Sequence, residues 1–334
     1  MNDPTIKAKN LSIEYKMGQQ ANIRAVNNVS FSIDPQEYFG LVGESGCGKS
    51  TVAQALIGGL DSNAKITSGE ILVDGDDITE YSEKEFNQNI RWKKIAYIPQ
   101  TSMNSLDPTM RLEEQAIDLI TTHTDYSIEK GLNEFADVME TFGINKDRIS
   151  DYPHQFSGGM QQRAMIALAL FLKPSLVIAD EPTTALDVLM QDQIFEFLSK
   201  AKSEFGISML LITHDISVVF ENCERIGVMH GGQMAESATA SELYNNPTHP
   251  YTVLLQEAFP DIRYPDRKLS VISGEPPQLT DDVDYCTFGG RCPLEQPECH
   301  TSAPELKKVN GGSHKVACAR SDEIDKLKKE RGIQ

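Results

Sequence analysis

The chain contains, at 43–50, the stretch Gly43-Glu44-Ser45-Gly46-Cys47-Gly48-Lys49-Ser50, which matches the P-loop pattern G-x-x-x-x-G-K-[ST] at every position. Residues 38–42 before it have the pattern of a short buried strand, and residues 51–60 after it that of an amphipathic helix. In this setting glycines let backbone N–H groups turn inward around a phosphate chain, and the helix N-terminus adds a partial positive charge. The stretch therefore predicts a site for nucleoside phosphates.

The polar residues of this loop have distinct expected roles. We expect Lys49 to reach the β- and γ-phosphates and the Ser50 hydroxyl to ligate Mg²⁺. The residues predicted to contact the nucleotide in this stretch are Gly43, Glu44, Ser45, Gly46, Cys47, Gly48, Lys49, Ser50 and Thr51.

Composition narrows the class of partner. The 334 residues include 31 Lys and Arg against 49 Asp and Glu, a formal net charge of −18, so the surface repels nucleic acid and anionic lipid. No apolar run approaches the roughly 18–20 residues of a membrane span. Residues 1–4 lack the basic and apolar regions of a signal peptide. We therefore expect no nucleic-acid partner, and a chain that is cytosolic or held at a membrane by another subunit.

The segment before the P-loop has the pattern of strands. Residues 5–40 alternate apolar and polar side chains, and this period of two predicts antiparallel strands. Tyr15 lies in this segment, and we expect its ring to stack on an adenine. The alternative is an aromatic side chain that packs on the sheet.

Several apolar runs of strand length end in polar side chains. The side chains at these ends are Gln100, Asp180, Glu181 and His214. Because the carboxyl ends of parallel strands open into the ligand crevice, we expect Gln100 to touch Mg²⁺ or the attacking water and Asp180 to hold Mg²⁺. Glu181 suits a general base, and His214 could reach the γ-phosphate. Taken singly, each also has a structural interpretation as a surface cap, a helix cap or a satisfied core histidine.

A helical insertion is predicted in the middle of the chain, since residues 102–155 change to helical spacing of their apolar positions. Ser157-Gly158-Gly159 follows, directly before a long helix with an apolar face. This order predicts a second exposed helix N-terminus, which is a second place for an anion.

Separated features in one order resemble the nucleotide-binding subunit of an ABC transporter. They are the P-loop at 43–50, Gln100, Phe156-Ser157-Gly158-Gly159-Met160-Gln161, Leu176-Val177-Ile178-Ala179-Asp180-Glu181-Pro182, Ala185-Leu186-Asp187 and His214. The resemblance implies an α/β fold of the P-loop NTPase (RecA-like) class. A mixed sheet core, an antiparallel β subdomain and a helical subdomain at about 102–165 would together form a nucleotide-binding domain over 1–245.

The same resemblance implies a dimer with a second ABC ATPase subunit. Each ATP would lie between the P-loop of one chain and Ser157-Gly158-Gly159 of the other, with Gln161 in the same nucleotide-binding set. Gln100 would sense the transmembrane subunits, Asp187 would carry signals across the dimer, and His214 would hold the γ-phosphate. Phe156 departs from the family, whose signature usually begins with Leu, but it keeps an apolar anchor.

The last fifth of the chain holds most of the cysteines. Of six in the chain, the four that crowd here are Cys286, Cys292, Cys299 and Cys318. In a reducing compartment their spacing indicates metal binding rather than disulfides. Four thiolates suit an iron–sulfur cluster or tetrahedral zinc, and His300 and His314 leave a mixed zinc site open. The absence of paired Cys-x₂-Cys knuckles favours the cluster, and unliganded thiols are the remaining alternative.

Residues 246–334 resemble the C-terminal extension of oligopeptide and dipeptide importer ATPases. The resemblance is carried by Thr248-His249-Pro250-Tyr251-Thr252, Gly274-Glu275-Pro276-Pro277 and Arg291-Cys292-Pro293. It implies a small loop-rich extension that helps to pair two ATPase subunits and carries a [4Fe-4S] cluster on the four cysteines.

The function implied is that of an ATP-hydrolysing motor for import of di- and oligopeptides, with ATP, Mg²⁺ and the cluster as cofactors. Its partners would be two transmembrane permease subunits and an extracellular solute-binding protein, at the cytoplasmic face of the cell membrane. The alternatives are the same motor for nickel or oligosaccharide uptake, a non-transport ABC ATPase, and a redox or metal sensor built on an ATPase.

Overall fold

The chain alternates strands and helices, and the computed structural model describes residues 3–18, 22–100, 105–183, 188–259, 271–280, 284–309 and 311–330. The strands in these ranges are β1 (Ile6–Tyr15), β2 (Ile23–Ile33), β3 (Tyr38–Val42), β4 (Ala64–Val73), β5 (Asp76–Asp77), β6 (Ile95–Ile98), β7 (Leu176–Asp180), β8 (Ser208–Thr213), β9 (Arg225–His230), β10 (Gln233–Thr239), β11 (Lys307–Lys308) and β12 (Lys315–Val316). The α-helices are α1 (Lys49–Leu56), α2 (Glu83–Glu85), α3 (Leu112–His123), α4 (Ile128–Thr141), α5 (Gly158–Leu170), α6 (Val188–Phe205), α7 (Ile216–Asn222), α8 (Ala240–Asn245), α9 (Pro250–Ala258) and α10 (Ile324–Glu330).

Two compact units make up the chain, and each is assembled from several segments. The first unit comprises Met1–Ile6, Ile33–Glu37 and Val73–Leu210, and the second comprises Lys7–Ser32, Tyr38–Leu72 and Leu211–Gln334. The second unit holds the P-loop and the cysteine segment. The predicted boundary at 245/246 and the helical subdomain at about 102–165 stay predictions.

A mixed sheet lies at the centre of the second unit, with strand order β11-β12-β10-β9-β3. β3 runs parallel to β9, with Phe39 opposite Arg225 and Val42 opposite Val228. β10 is antiparallel to β9, so the sheet mixes both directions. Every residue of β3 is buried, as expected for a strand that is covered on both faces. The predicted mixed sheet is therefore confirmed.

The hairpin of β9 and β10 is closed by Gly231 and Gly232, which have φ angles of 52° and 78°. Left-handed conformations at both central positions are those of a two-residue hairpin loop, and they favour glycine. β9 and β10 therefore form a tight antiparallel hairpin.

A further set of strands in the second unit has the order β2-β1-β4. The apolar alternation of β1 shifts phase between Ala8 and Leu11, both of which are buried. Asn10 lies between them with φ 48° and donates its N–H to Ser30 Oγ at 2.7 Å. Asparagine tolerates this left-handed conformation better than most residues, so the strand can turn its next apolar residue inward.

The first unit contains a parallel strand pair and a group of helices. β6 and β7 are parallel, with Ile95 opposite Leu176. Helix α3 buries Leu112, Ala116 and Ile120, which lie one above another on its apolar face. The helical insertion predicted over 102–155 includes α3 and α4, and α4 begins at Ile128, where Ser127 caps it by accepting from the Lys130 N–H at 3.2 Å.

Glycines in the left-handed conformation follow the ends of two helices, α1 and α6. Helix α1 stops at Leu56 rather than at residue 60, and Gly58 follows with φ 62°. Helix α6 ends at Phe205, and Gly206 follows with φ 67°. Glycine in the left-handed conformation is a common way for a helix to end.

The C-terminal extension is built mainly of loops and single turns, as predicted. Its strand β12 pairs antiparallel with β10 and with β11. Val253 of α9 packs with Ile324 and Leu327 of α10 in a small apolar cluster. Among the described residues, no helix combines the length and the apolar character needed to cross a bilayer.

A buried carboxylate ties β10 to this extension. Glu236 has no exposed surface, and it accepts from the Thr248 N–H at 2.5 Å, from Thr248 Oγ1 at 2.7 Å and from His314 Nε2 at 2.6 Å. Burial raises the pKa of Glu236, but the hydrogen bonds from His314 and the threonines lower it by more. The net pKa of Glu236 lies below its ordinary value.

We expect Glu236→Gln to destabilise the chain at neutral pH by about 1–3 kcal/mol, because the amide satisfies these donors less well. A lowered folded-state pKa gives stability that is present above the unfolded value, near 4.5, and is lost as pH falls through the folded value. The variant should therefore lose less stability on acidification than the wild type, measured by denaturant unfolding at several pH values between about 3 and 7. Glu305→Gln, at an exposed position of the same extension, is the control. Equal acid dependence in Glu236→Gln and wild type would contradict the assignment.

Candidate nucleotide site

Close contacts with neighbouring backbone atoms require glycine at two positions of the P-loop. Gly48 caps α1 with φ 103°, and a Cβ there would lie 2.3 Å from the Ala25 carbonyl oxygen. A Cβ at Gly43 would lie 2.1 Å from the Met229 carbonyl oxygen. Side chains are therefore excluded at both positions, and the loop can curl tightly in front of α1.

The opposite face of the loop is open. Ser45, Gly46 and Ser50 are exposed, and a Cβ on Gly46 would meet nothing within 4 Å. The first turn of α1 carries no acidic residue. This face therefore presents backbone N–H groups and a helix N-terminus to an incoming anion.

Lys49 is buried, with 6% of its surface exposed. Its Nζ donates to the carbonyl oxygens of Gly43 at 2.7 Å and Glu44 at 2.9 Å, and lies 3.7 Å from Cys47 Sγ. A buried ammonium needs such acceptors. Burial raises the pKa of the Cys47 thiol, so this neighbour stays uncharged.

Tyr15 and His214 also belong to the second unit. The Tyr15 hydroxyl lies 3.4 Å from Thr51 Oγ1, which places the ring beside the helix that follows the P-loop. His214 is exposed and follows β8, while Asp215 caps α7 by accepting from the Ser217 N–H at 2.8 Å. Stacking of Tyr15 on adenine and a γ-phosphate contact from His214 stay predictions.

In the first unit, the structure brings Gln100 and Glu181 together. Gln100 Nε2 donates to Glu181 Oε2 at 2.8 Å. Asp180, which is 3% exposed at the end of β7, accepts from the Tyr97 hydroxyl at 3.1 Å. The two carboxylates, adjacent in sequence, thus have different hydrogen-bond partners, and the metal-ligand and general-base roles expected of them stay predictions.

The backbone at Glu181 is strained. Its φ is 49°, in the left-handed region that non-glycine residues rarely adopt. Such positions cost free energy and cluster at functional sites, because the surrounding structure must hold them there. The left-handed backbone at Glu181 follows directly on the end of β7 at Asp180.

The Ser157-Gly158-Gly159 segment begins helix α5, as predicted. Ser157 is the N-cap residue but makes no side-chain cap, and both Ser157 and Gly158 are exposed. The Gln161 amide donates from Nε2 to the carbonyl oxygens of Pro153 at 2.8 Å and Phe156 at 3.4 Å. Gln161 therefore braces the turn, whereas its expected nucleotide contact stays a prediction.

Arg148 also braces this turn, and sequence reasoning missed it. Its guanidinium lies 4.2 Å from the centre of the Phe156 ring, and Nη2 donates to the Gln155 carbonyl at 3.0 Å. Nε donates to Asp151 at 2.7 Å, and Nη1 lies 3.7 Å from Met160 Sδ. One cation thus contacts residues on both sides of Ser157, and a phenylalanine at 156 offers it a ring face that leucine would lack.

The predicted site residues that the structure describes therefore fall into two sets, one in each unit. The P-loop, Tyr15 and His214 belong to the second unit, and Gln100, Asp180, Glu181 and the Ser157 turn belong to the first. Asp187 lies outside the described residues.

The four clustered cysteines line one cavity in the second unit. Its volume is about 370 Å³, and Cys286, Cys292, Cys299 and Cys318 all border it, as does His249. Burial raises the pKa of the Cys292 and Cys318 thiols to about 12. Burial therefore favours the protonated form of these two thiols.

A single-ion site is not supported at this cavity. Among the described residues, no three His, Cys, Asp or Glu side chains are close enough together to hold one metal ion. His314 is hydrogen-bonded to Glu236, and His300 is hydrogen-bonded to Glu295. Neither histidine is among the residues that border the cavity. The open possibility of a mixed zinc site with these histidines is therefore not borne out.

Sequence comparison matches two family profiles to the chain. The ABC transporter profile matches residues 26–184, and the profile described as the C-terminal region of oligopeptide/dipeptide transporters matches residues 235–299.

Curated relatives match along almost the whole chain. The oligopeptide transport ATP-binding protein OppD of Haemophilus influenzae is 38% identical over 93% of this chain and 95% of its own length. The dipeptide transport ATP-binding protein DppD of Bacillus subtilis is 37% identical over 96% of each chain. A solved dimeric ATP-binding cassette in a post-hydrolysis state, bound to ADP and Pi, superposes with a TM-score of 0.61 at 31% identity, covering 70% of this chain and 98% of that one.

We expect Arg148→Ala to loosen the turn at Ser157, since it removes a cation–π contact and hydrogen bonds on both sides of it. Amide hydrogen exchange at residues 155–160 should accelerate about 5- to 50-fold, which corresponds to about 1–2 kcal/mol of local stability. Lys146→Ala removes a neighbouring exposed cation that pairs with Asp137 and Glu140, and it should leave exchange at this turn unchanged. Equal exchange in Arg148→Ala and wild type would refute the bracing role.

Proposed function

The chain belongs to the ATP-binding proteins of oligopeptide and dipeptide ABC transporters, and we propose that it is the ATP-hydrolysing motor of an importer of short peptides. ATPase activity follows from the family. The observation that supports the mechanism best is Glu181, which has a strained backbone and a carboxylate that accepts from the Gln100 amide at 2.8 Å, in a chain that carries a complete P-loop.

We expect the Lys49 ammonium to exchange its present hydrogen-bond acceptors for phosphate oxygens when a nucleotide binds. The Nζ now donates to the Gly43 and Glu44 carbonyl oxygens, and β- and γ-phosphate oxygens would offer it stronger, charged acceptors. The N–H groups around Gly46 and the N-terminus of α1 would hold the remaining phosphate oxygens. Tyr15, beside α1, would cover the adenine.

Hydrolysis would use the carboxylates that end β7. Ser50, Asp180 and Gln100 are the proposed ligands of Mg²⁺, which would neutralise charge on the β- and γ-phosphates. Glu181 would accept the proton of the attacking water, and its hydrogen bond from Gln100 keeps the carboxylate oriented. His214 would donate to the γ-phosphate.

Pairing with a second ABC ATPase subunit would complete each site. Cassettes of this family dimerise and work with permease subunits. We propose that Ser157, Gly158 and Gly159, at the exposed start of α5, contact ATP held by the partner, with Gln161 bracing them and Asp187 relaying the signal. Two transmembrane permeases and an extracellular solute-binding protein would place the chain at the cytoplasmic face of the cell membrane.

We expect Glu181→Gln to bind ATP as tightly as the wild type but to lower the hydrolysis rate at least about 100-fold, because the amide cannot accept the proton of water. The assay uses the chain assembled with its permeases and solute-binding protein in proteoliposomes, with a labelled tripeptide as substrate. Import should require ATP in the wild type and be absent in the variant.

Glu80→Gln, an exposed carboxylate of the same unit, should leave hydrolysis and import intact. Normal turnover in Glu181→Gln would exclude this residue as the base. Transport of Ni²⁺ or an oligosaccharide in place of the peptide would leave the proposed ATPase role standing but would refute the short peptide as the substrate.

The cysteine cavity, about 370 Å³ in volume, is bordered by four thiols. Within the described residues no three ligating side chains are placed to hold a metal ion, so the proposal of a cluster rests on the four cysteines and on their resemblance to the family's extension. We infer that Cys286, Cys292, Cys299 and Cys318 hold a [4Fe-4S] cluster as thiolates. When bound, such a cluster supplies four metal–sulfur links that staple a segment with little core of its own.

Anaerobic purification should yield a brown protein with about four iron atoms and four sulfides per chain. Cys299→Ser should lose most of the iron and lower the Tm of the chain, while Cys223→Ser, a buried cysteine far along the chain from this segment, should retain it. Elemental analysis that finds zinc alone, or full iron content in Cys299→Ser, would overturn the cluster.

A further inference from the structure

One ion pair joins the C-terminal extension to the P-loop. The Arg291 guanidinium donates from Nη1 to Glu44 Oε2 and from Nη2 to Glu44 Oε1, each at 2.7 Å. This is the two-bond geometry in which a guanidinium matches a carboxylate. The Arg291 side chain is 8% exposed and that of Glu44 is 23% exposed. Water and salt therefore screen this pair less than they screen a surface pair.

Arg291 is itself held in place by neighbours. Its Nε donates to the Ser273 carbonyl at 2.9 Å, and its Nη1 lies 3.2 Å from His230 Nε2. Burial, with a contribution from Arg291, lowers the pKa of His230 to about 3. The neutral ring can then accept from Arg291 at Nε2 while Nδ1 faces Thr287 Oγ1 at 3.0 Å. The guanidinium is fixed in position before any ligand arrives.

The extension holds the main chain of Glu44 as well. The Glu44 N–H donates to the Tyr251 hydroxyl at 2.9 Å. Tyr251 is fully buried, with its ring 4.6 Å from that of His230 and 5.3 Å from that of Phe288. The Glu44 carbonyl accepts from Lys49 Nζ at 2.9 Å. A single residue thus links the extension to the phosphate-binding lysine.

The negative charge of Glu44 makes the link to Arg291 important for nucleotide binding. A carboxylate in a phosphate-binding loop repels a nucleoside triphosphate unless a cation cancels it. We propose that Arg291 is a positioning residue for the nucleotide: it neutralises Glu44 and, with Tyr251, fixes the P-loop, so that the extension sets the affinity for ATP. This inference rests on the proposed function, since it concerns the same nucleotide site.

The test measures equilibrium binding of a fluorescent ATP analogue to the purified full-length chain. Arg291→Gln leaves the Glu44 charge uncompensated, so the Kd for the analogue should rise about tenfold. Glu44→Gln alone leaves the Arg291 cation uncompensated beside the loop, so by the same argument its Kd should fall rather than rise. The double variant Glu44→Gln/Arg291→Gln should bind within about threefold of the wild type, because both charges are gone. A merely structural arginine would not be rescued in this way.

Two further variants keep the result decisive. Arg291→Lys retains the charge but loses the two-bond fork, and it should weaken binding about threefold even if Arg291→Gln does not fold. Lys307→Gln removes an exposed cation from the same extension and should bind as the wild type does. Wild-type affinity in Arg291→Lys, or no rescue by Glu44→Gln, would overturn the inference. Failure of the wild type to bind the analogue at all would instead overturn the proposed function.

Discussion

The buried ammonium of Lys49 is the constraint on which the rest of the structure depends. A cation that is 6% exposed must be met by acceptors, and here the P-loop supplies two of its own carbonyl groups at 2.7 and 2.9 Å. That arrangement requires the loop to fold back on itself, which the crowded backbone at Gly43 and Gly48 permits only for glycine. Strand β3, buried along its whole length, holds the start of the loop in place.

Patterns that are local in the sequence predicted most of the fold. The P-loop stretch, the buried runs that became β7 and β8, and the helical spacing of α3 and α4 each depend on residues within a few turns of one another. Their physical causes, which are burial, spacing and capping, act over the same short range. Gln100 and Glu181 were each expected at the carboxyl end of a strand, and such ends meet at one edge of a parallel sheet, where the structure joins the two side chains by a hydrogen bond.

Contacts between distant residues could not be predicted in this way. Arg291 and Glu44 are separated by 247 positions, and no periodicity links them. Arg148 was missed because its partners lie in an irregular turn, where hydrogen bonds to main-chain carbonyls leave no trace in residue types. His314 seemed a spare metal ligand on composition alone, but the fold uses it to satisfy the buried Glu236, and only the three-dimensional structure distinguishes these uses.

The edge strand of the mixed sheet in the second unit has a consequence for solubility. Beyond β10, the extension adds β12 and then β11, a strand of only two residues, Lys307 and Lys308, both exposed. An outermost strand that is long and apolar invites another polypeptide to dock along it and begin a fibre. A strand of two charged residues offers too few backbone hydrogen-bonding groups for such docking. The C-terminal extension therefore also protects this edge of the sheet from self-association.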